Sequence, residues 1–195
     1  MLTYSFADLI THSGASRSEI KNWVSKKIIR PDVRDTHAGT GDHRTFGFLD
    51  IFEGCIGHGL NQLPGGMPVV PLSLALDRVR FESALAGSPW RAFHDPETRD
   101  REARFWLCKL PNSIWQLLTA PDKGAALWLL AEARTTSGPA IILPLHQLLL
   151  DLETRTQDHA SDEECVNAWS KEKPRSRERR DALTHSTLDQ REGRA

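Results

Sequence analysis

Over residues 1 to 60, apolar side chains recur three and four positions apart in short bursts, and each burst is bracketed by residues that start or stop helices. In "YSFADLITHSG", Phe6, Leu9 and Ile10 share one side of a helix. Ser5 followed by Asp8 forms a start signal and Gly14 supplies the turn that ends it, which predicts a helix over roughly residues 5 to 12. In "GASRSEIKNW", Ser16 caps a second helix and Glu19 completes a capping box. Ile20, Trp23 and Val24 fall on one side of that helix, and Ser18, Lys21, Asn22 and Ser25 on the other. Two helices joined across so short a glycine turn make a helix-turn-helix. The next stretch, "IIRPDVRDTHAGTGDHRTF", has a β-prone start at Ile28 and Ile29, a glycine-rich tip and a return strand over His43 to Phe46. A hairpin in this place is a wing. Phe48, Leu49, Ile51, Phe52 and Ile56 then predict a third helix that closes the small core.

Beyond residue 60 the pattern changes. "NQLPGGMPVVP" breaks any helix before it. Leu72, Leu76, Val79 and Leu85 suit an amphipathic helix, while "ARFWLCKL", "AALWLLAEA" and "AIILPL" read as strands, the last feeding a helix over "HQLLLDLETRT". The stripe of Leu148, Leu149 and Leu152 must be buried, either on the sheet or against its counterpart in a second subunit. Trp90, Trp106, Trp115 and Trp128 are expected in the core rather than around a ligand. From Gln157 onward charges alternate and large apolar residues are few, so this segment cannot offset its ordering entropy by burial. A mobile tail is expected, with a short helix around Cys165 to Lys171. The predicted fold class is α+β: a winged helix-turn-helix over residues 1–60, a small mixed α/β module for dimerisation or sensing over 68–156, and a disordered charged tail over 157–195.

Composition narrows the function classes. The 195 residues are 39% hydrophobic, enough for a core, and their formal charge of -1 advertises no global attraction to nucleic acid. Residues 1 to 60 balance seven basic against seven acidic side chains, so any argument for DNA must rest on local patterning. Three widely spaced cysteines make no disulfide framework and suit a reducing compartment. Asp8 interrupts the N-terminal apolar stretch, and "GPAIILPLHQLLL" falls short of the roughly 20 residues a membrane span needs. A cytoplasmic protein with no membrane partner is expected. Cys55 and His58, with His12 and Cys108 elsewhere, lack the paired spacings of a zinc site. Asp35 and His37, Asp42 and His43, and His94 and Asp95 offer acid and base types without any nucleophile motif. The glycines of "HAGTGDHR" lack the spacing and lysine of a phosphate loop. No catalytic residue, metal or cofactor is expected, and a small-molecule ligand has no support. "KEKPRSRERR" is basic enough to touch a polyanion, but its acidic neighbours favour a solvated face.

Residues 4 to about 57 resemble the winged helix-turn-helix DNA-binding domain of the MerR family. The resemblance rests on "YSFADLI" at the first helix, "GAS" before the second, "IKNW" within it, "KIIRP" after it, "RTF" closing the wing and "FLDIF" opening the next helix. Lys21 and Asn22 stand where the family has an Arg-Tyr pair, and "NQLPGGMP" interrupts the long antiparallel dimerisation helix of the family's regulators. The promoter-distorting mechanism of those regulators therefore does not carry over. The resemblance implies a dimeric, sequence-specific transcription regulator that binds a palindrome in double-stranded DNA. Ser18, Lys21 and Asn22 would read bases, while Ser16, Arg17, Lys26, Lys27, Arg34, His43 and Arg44 complete the contact surface. An architectural DNA-binding protein of excisionase or packaging type, and a protein-interaction module on the same fold, remain open beside it.

Overall fold

A computed structural model describes residues 3–30, 45–94, 103–110, 114–132, 140–161 and 164–165. Four helices come first: α1 (Phe6–Ser13), α2 (Arg17–Ser25), α3 (Phe48–Asn61) and α4 (Val69–Ala84). They are followed by α5 (Pro89–His94), β1 (Phe105–Lys109), β2 (Gln116–Thr119), α6 (Lys123–Glu132), β3 (Ile141–Pro144) and α7 (Leu145–Thr156).

The helix starts form where side-chain oxygens can satisfy the first orphaned N–H groups. Ser5 Oγ accepts from Asp8 N at 3.2 Å while Ser5 N donates to the Asp8 carboxylate at 2.8 Å. Ser16 and Glu19 repeat the arrangement at 3.3 and 2.7 Å. Gly14, at φ 75°, ends α1 in the left-handed region, where its N–H donates to Ile10 O. The predicted Ser16–Glu19 box and the glycine turn are present, and the start signal at Ser5 and Asp8 is itself a full capping box.

Helix α3 occupies the middle of the molecule. Every residue from Phe48 to Gly57 is buried, because α1, α4, α7 and β3 all pack against it. Such enclosure needs small residues where helices approach closely: a Cβ added at Gly54 would lie 2.8 Å from Ser13 Cβ, and one at Gly57 would lie 3.0 Å from the Trp23 ring. The turn after α3 is pinned by Asn61, whose Oδ1 accepts from Met67 N at 3.2 Å and whose Nδ2 donates to Glu19 Oε1.

The three strands form an antiparallel sheet in the order β2-β1-β3, with Leu107 opposite both Leu117 and Leu143. Trp90 joins it to the helices, its ring centroid 6.0 Å from Phe52 and 5.1 Å from Phe105. One connected set of buried apolar residues therefore runs from Tyr4 through α3 and the sheet to Cys165.

Four expectations need correction. "AALWLLAE", the described part of "AALWLLAEA", lies within α6 and is not a strand; Ala126 and Leu130, four positions apart, are buried while Leu127, Trp128 and Leu129 face out. Trp128 is thus 59% exposed, whereas Trp90 and Trp115 are core residues. Ile28 and Ile29 lie in a bend rather than a strand, fully buried. The backbone of Ile28 is already occupied: its N–H closes α2 on Trp23 O at 2.8 Å, and its carbonyl accepts from Arg80 Nη2. Of the expected return strand over His43 to Phe46, Phe46 pairs antiparallel with Tyr4 instead of with Ile28 or Ile29. The stripe of α7 is settled in favour of the chain's own core, with Leu149 and Leu152 buried beneath α3 and β1. The proposed hairpin tip and most of the tail lie outside the described residues.

Arg80 carries the principal buried charge. Its Nε donates to Glu53 Oε1 at 2.6 Å and its Nη1 to Asp77 Oδ1 at 2.8 Å. Burial opposes the guanidinium charge, but Glu53 and Asp77 outweigh it and the proton is held more tightly than usual. Replacing Arg80 by Leu leaves Glu53 uncompensated and is expected to destabilise the fold by about 3–5 kcal/mol in urea denaturation. The double variant Glu53→Met/Arg80→Met is expected to recover part of that loss.

Candidate nucleic-acid interface

The opposite sides of α2 differ sharply in chemistry. Ile20, Trp23 and Val24 are buried, and Trp23 rests on Gly57 of α3. Ser16, Arg17, Ser18, Lys21, Asn22, Ser25, Lys26 and Lys27 are exposed. The acid of this helix, Glu19, is turned back: it binds Ser16 at the cap and accepts from Asn61 at the end of α3. The hydrogen bond from the Ser16 side chain holds its carboxyl below the usual carboxylate range. The outward side consequently presents cations, hydroxyls and an amide with no carboxylate of α2 among them.

Not every predicted group on this side is equally available. Ser16 Oγ is engaged with Glu19 and lies 3.1 Å from Ser18 Oγ, so Ser16 serves the helix first. Ser25 Oγ donates to Asn22 O at 2.9 Å. The Arg17 guanidinium sits 5.9 Å from the centre of the Phe6 ring, which directs it toward α1. Lys21 and Asn22 stand one turn into the helix. Arg34, His43 and Arg44 lie outside the described residues.

The C-terminal end of α2 contains a feature that sequence reasoning missed. Lys26 is the cap, and Lys27 follows it at φ 55°. Lys27 N donates to Val24 O at 3.1 Å and Ile28 N to Trp23 O at 2.8 Å, the paired bonds of a Schellman turn. Glycine is the usual residue in this left-handed position, because a Cβ is crowded there. A lysine here projects a cation beside Lys26 at the helix end. Arg30 secures the turn from behind, its Nε donating to Lys27 O at 3.1 Å and its Nη2 to Asp77 Oδ1 at 3.1 Å.

A second concave feature lies where α1, α3 and α7 meet, a groove of about 580 Å³ lined by Gly14, Cys55, His58, Asp151 and Arg155 among others. The Cys55 thiol donates to the backbone of His12 at 3.6 Å, and burial pushes it up to about 11 despite Arg155 Nη2 at 3.8 Å. A thiol held in its protonated form is a weak nucleophile. Cys108 belongs to a separate apolar cluster, where burial pushes it up to about 12. Cys108 therefore lies apart from Cys55, and no group of three metal-binding side chains occurs among the described residues. No described helix is long and apolar enough to cross a membrane. No protein-family model and no curated protein matches the chain.

Substitution of Lys27 by Gly is expected to relieve the left-handed strain and stabilise the fold by about 1 kcal/mol, read from the urea midpoint at unchanged slope. The Glu19 carboxyl is lower in the folded state than in the unfolded chain, so its contribution is complete above the ordinary value of about 4.3 and fades as the pH falls through the folded one. Unfolding measured between about pH 5 and pH 3 is expected to show a steeper acid loss in the natural protein than in Glu19→Gln.

Proposed function

We propose that this chain is a sequence-specific binder of double-stranded DNA that regulates transcription, with a winged helix-turn-helix of MerR type in which α2 enters the major groove. One observation carries the reading: α2 is gripped from behind by Trp23, Ile28 and the Arg30–Asp77 pair, while its outward side is cationic and amide-bearing with its own carboxylate withdrawn. An α-helix about 10–12 Å across fits a groove about 12 Å wide. Asn22 has the donor and acceptor pair that matches adenine, and Lys21 donors suit guanine. Ser18 supplies a hydroxyl nearby. Arg17, Lys26 and Lys27 hold phosphates, with Arg34, His43 and Arg44 assigned to the wing from sequence.

The balance of seven basic and seven acidic residues over positions 1 to 60 is the observation that favours a protein-interaction module. It overstates the negative field at the face of α2. Glu19 is bound at its cap, Asp50 accepts from Gly47 N at 3.0 Å, and Glu53 is paired with Arg80 inside the core.

The test is selection of bound genomic fragments by the purified protein, followed by affinity measurement over a range of salt concentrations. A recurring palindrome is expected. Lys21→Ala is expected to weaken specific binding by about 1–3 kcal/mol, and Lys27→Gly to reduce the salt slope by about 1 while the fold remains intact. Unchanged affinity and unchanged salt slope in both variants would remove α2 from the interface.

A further inference from the structure

The groove where α1, α3 and α7 meet changes character along its length. At one end Gly59 of α3 faces α7, where a Cβ added to it would lie 4.0 Å from Leu148 Cδ1. At the other end Cys55 Sγ lies 3.8 Å from Arg155 Nη2. On the α7 wall Leu148, Asp151 and Arg155 follow one another over about 10 Å of helix. That wall reads apolar, then acidic, then basic. Its volume of about 580 Å³ falls within the range of about 300–1,000 Å³ usual for small-molecule sites.

Several polar side chains of the lining are already committed. Ser13 Oγ donates to Ile10 O at 3.4 Å and accepts from Ala15 N at 3.2 Å, and Thr154 Oγ1 donates to Leu150 O at 2.8 Å. The Cys55 thiol donates to His12 O. Three groups are not committed. Arg155 spends Nε on Asp151 O at 3.2 Å and one Nη2 hydrogen on the Cys55 sulfur, a weak acceptor, and the rest of its five N–H donors remain. Asp151 Oδ1 accepts from Gln147 at 2.7 Å, while Oδ2 bonds to no described residue. His58 has its Nδ1 buried without a partner. A buried N–H without an acceptor is costlier than a bare lone pair, so the ring proton belongs on Nε2. That nitrogen lies on the edge beside Gly14, 3.6 Å from where a Cβ would stand, and the glycine leaves it open to the groove.

Asp151 and Arg155 stand four positions apart on a helix, a spacing at which an acid and a base ordinarily join each other. Here Arg155 turns to the Asp151 carbonyl and to Cys55 instead, and the two side-chain charges stay separate. The groove can therefore hold an anion and a cation at once.

We propose that this groove binds an apolar α-amino acid. The ligand's carboxylate takes the Arg155 guanidinium and the His58 Nε2–H, its ammonium takes Asp151, and its side chain lies toward Leu148 and Gly59. The order along α7 is the order within the ligand, because the carbon that bears the ammonium stands between the side chain and the carboxylate. A simple carboxylic acid would set its charge near Asp151 with nothing to offset it, and a simple amine would leave Arg155 unused. The inference does not rest on DNA binding and is tested without DNA, so its failure and the failure of the DNA reading are separable.

Calorimetric titration of the full chain with L-leucine, L-methionine and L-phenylalanine is expected to show binding of at least one of them at a single site. The deaminated acid and the decarboxylated amine of that amino acid are each expected to bind at least about tenfold more weakly. Arg155→Met and Asp151→Asn, both changes at exposed positions, are expected to lower the affinity at least about tenfold with circular dichroism unchanged. Lys123→Met on α6 is expected to leave it unaltered. The amide NMR signals of Cys55, His58 and Gly59 should move during the titration. The inference is overturned if none of the three amino acids binds, if these signals stay still, or if binding is indifferent to Arg155→Met and Asp151→Asn. An acid or an amine that binds as tightly as the amino acid also overturns it, by assigning the groove to a ligand of single charge.

Discussion

Burial of α3 on all sides is the constraint from which the rest of the architecture follows. A helix enclosed from Phe48 to Gly57 cannot leave its acids to solvent, so Asp50 is spent on the N–H of Gly47 and Glu53 demands a cation inside the protein. Arg80 of α4 supplies that cation. A guanidinium has more donors than Glu53 can accept, and the surplus reaches Asp77 and the carbonyl of Ile28. The charge enclosed by α3 therefore fixes the chain where it leaves α2.

This linkage gives the candidate DNA surface its rigidity. A recognition helix is useful only if its side chains hold their positions before they meet the groove, and α2 is too short to do so alone. Its apolar side is fastened to α3 by Trp23 over Gly57, its start by the Ser16 and Glu19 box, and its end by the Schellman turn at Lys27. Lys27 holds a left-handed position that glycine would fill at lower conformational cost.

The same body turns α4 into a two-sided element. One side answers Glu53 and the core, and the other leaves Val70, Leu74 and Phe81 exposed. The groove at α1, α3 and α7 has a different character. Burial pushes its Cys55 thiol above the usual range, and the thiol donates to the backbone of His12.

The parts legible from sequence are those governed by neighbours in the chain. The Ser5 and Ser16 boxes, the left-handed Gly14, the buried side of α2 and the helices α3, α4 and α7 follow from spacings of three and four residues, because caps and helix faces are set locally. The sequence by itself also determined which residues α2 offers outward. The parts that only the tertiary structure decided depend on groups distant in the chain. "AALWLLA" is an unbroken apolar run that suits a helix or a strand equally until one side finds a partner, and it lies in α6. Ile28 and Ile29 have strand-forming side chains, but the backbone of Ile28 is claimed by α2 and by Arg80, fifty-two residues further on. The outer row of α4 was hidden for the same reason: Leu72 and Leu74 are alike as letters, and only the packing of α3 against α4 settles which is enclosed and which meets water.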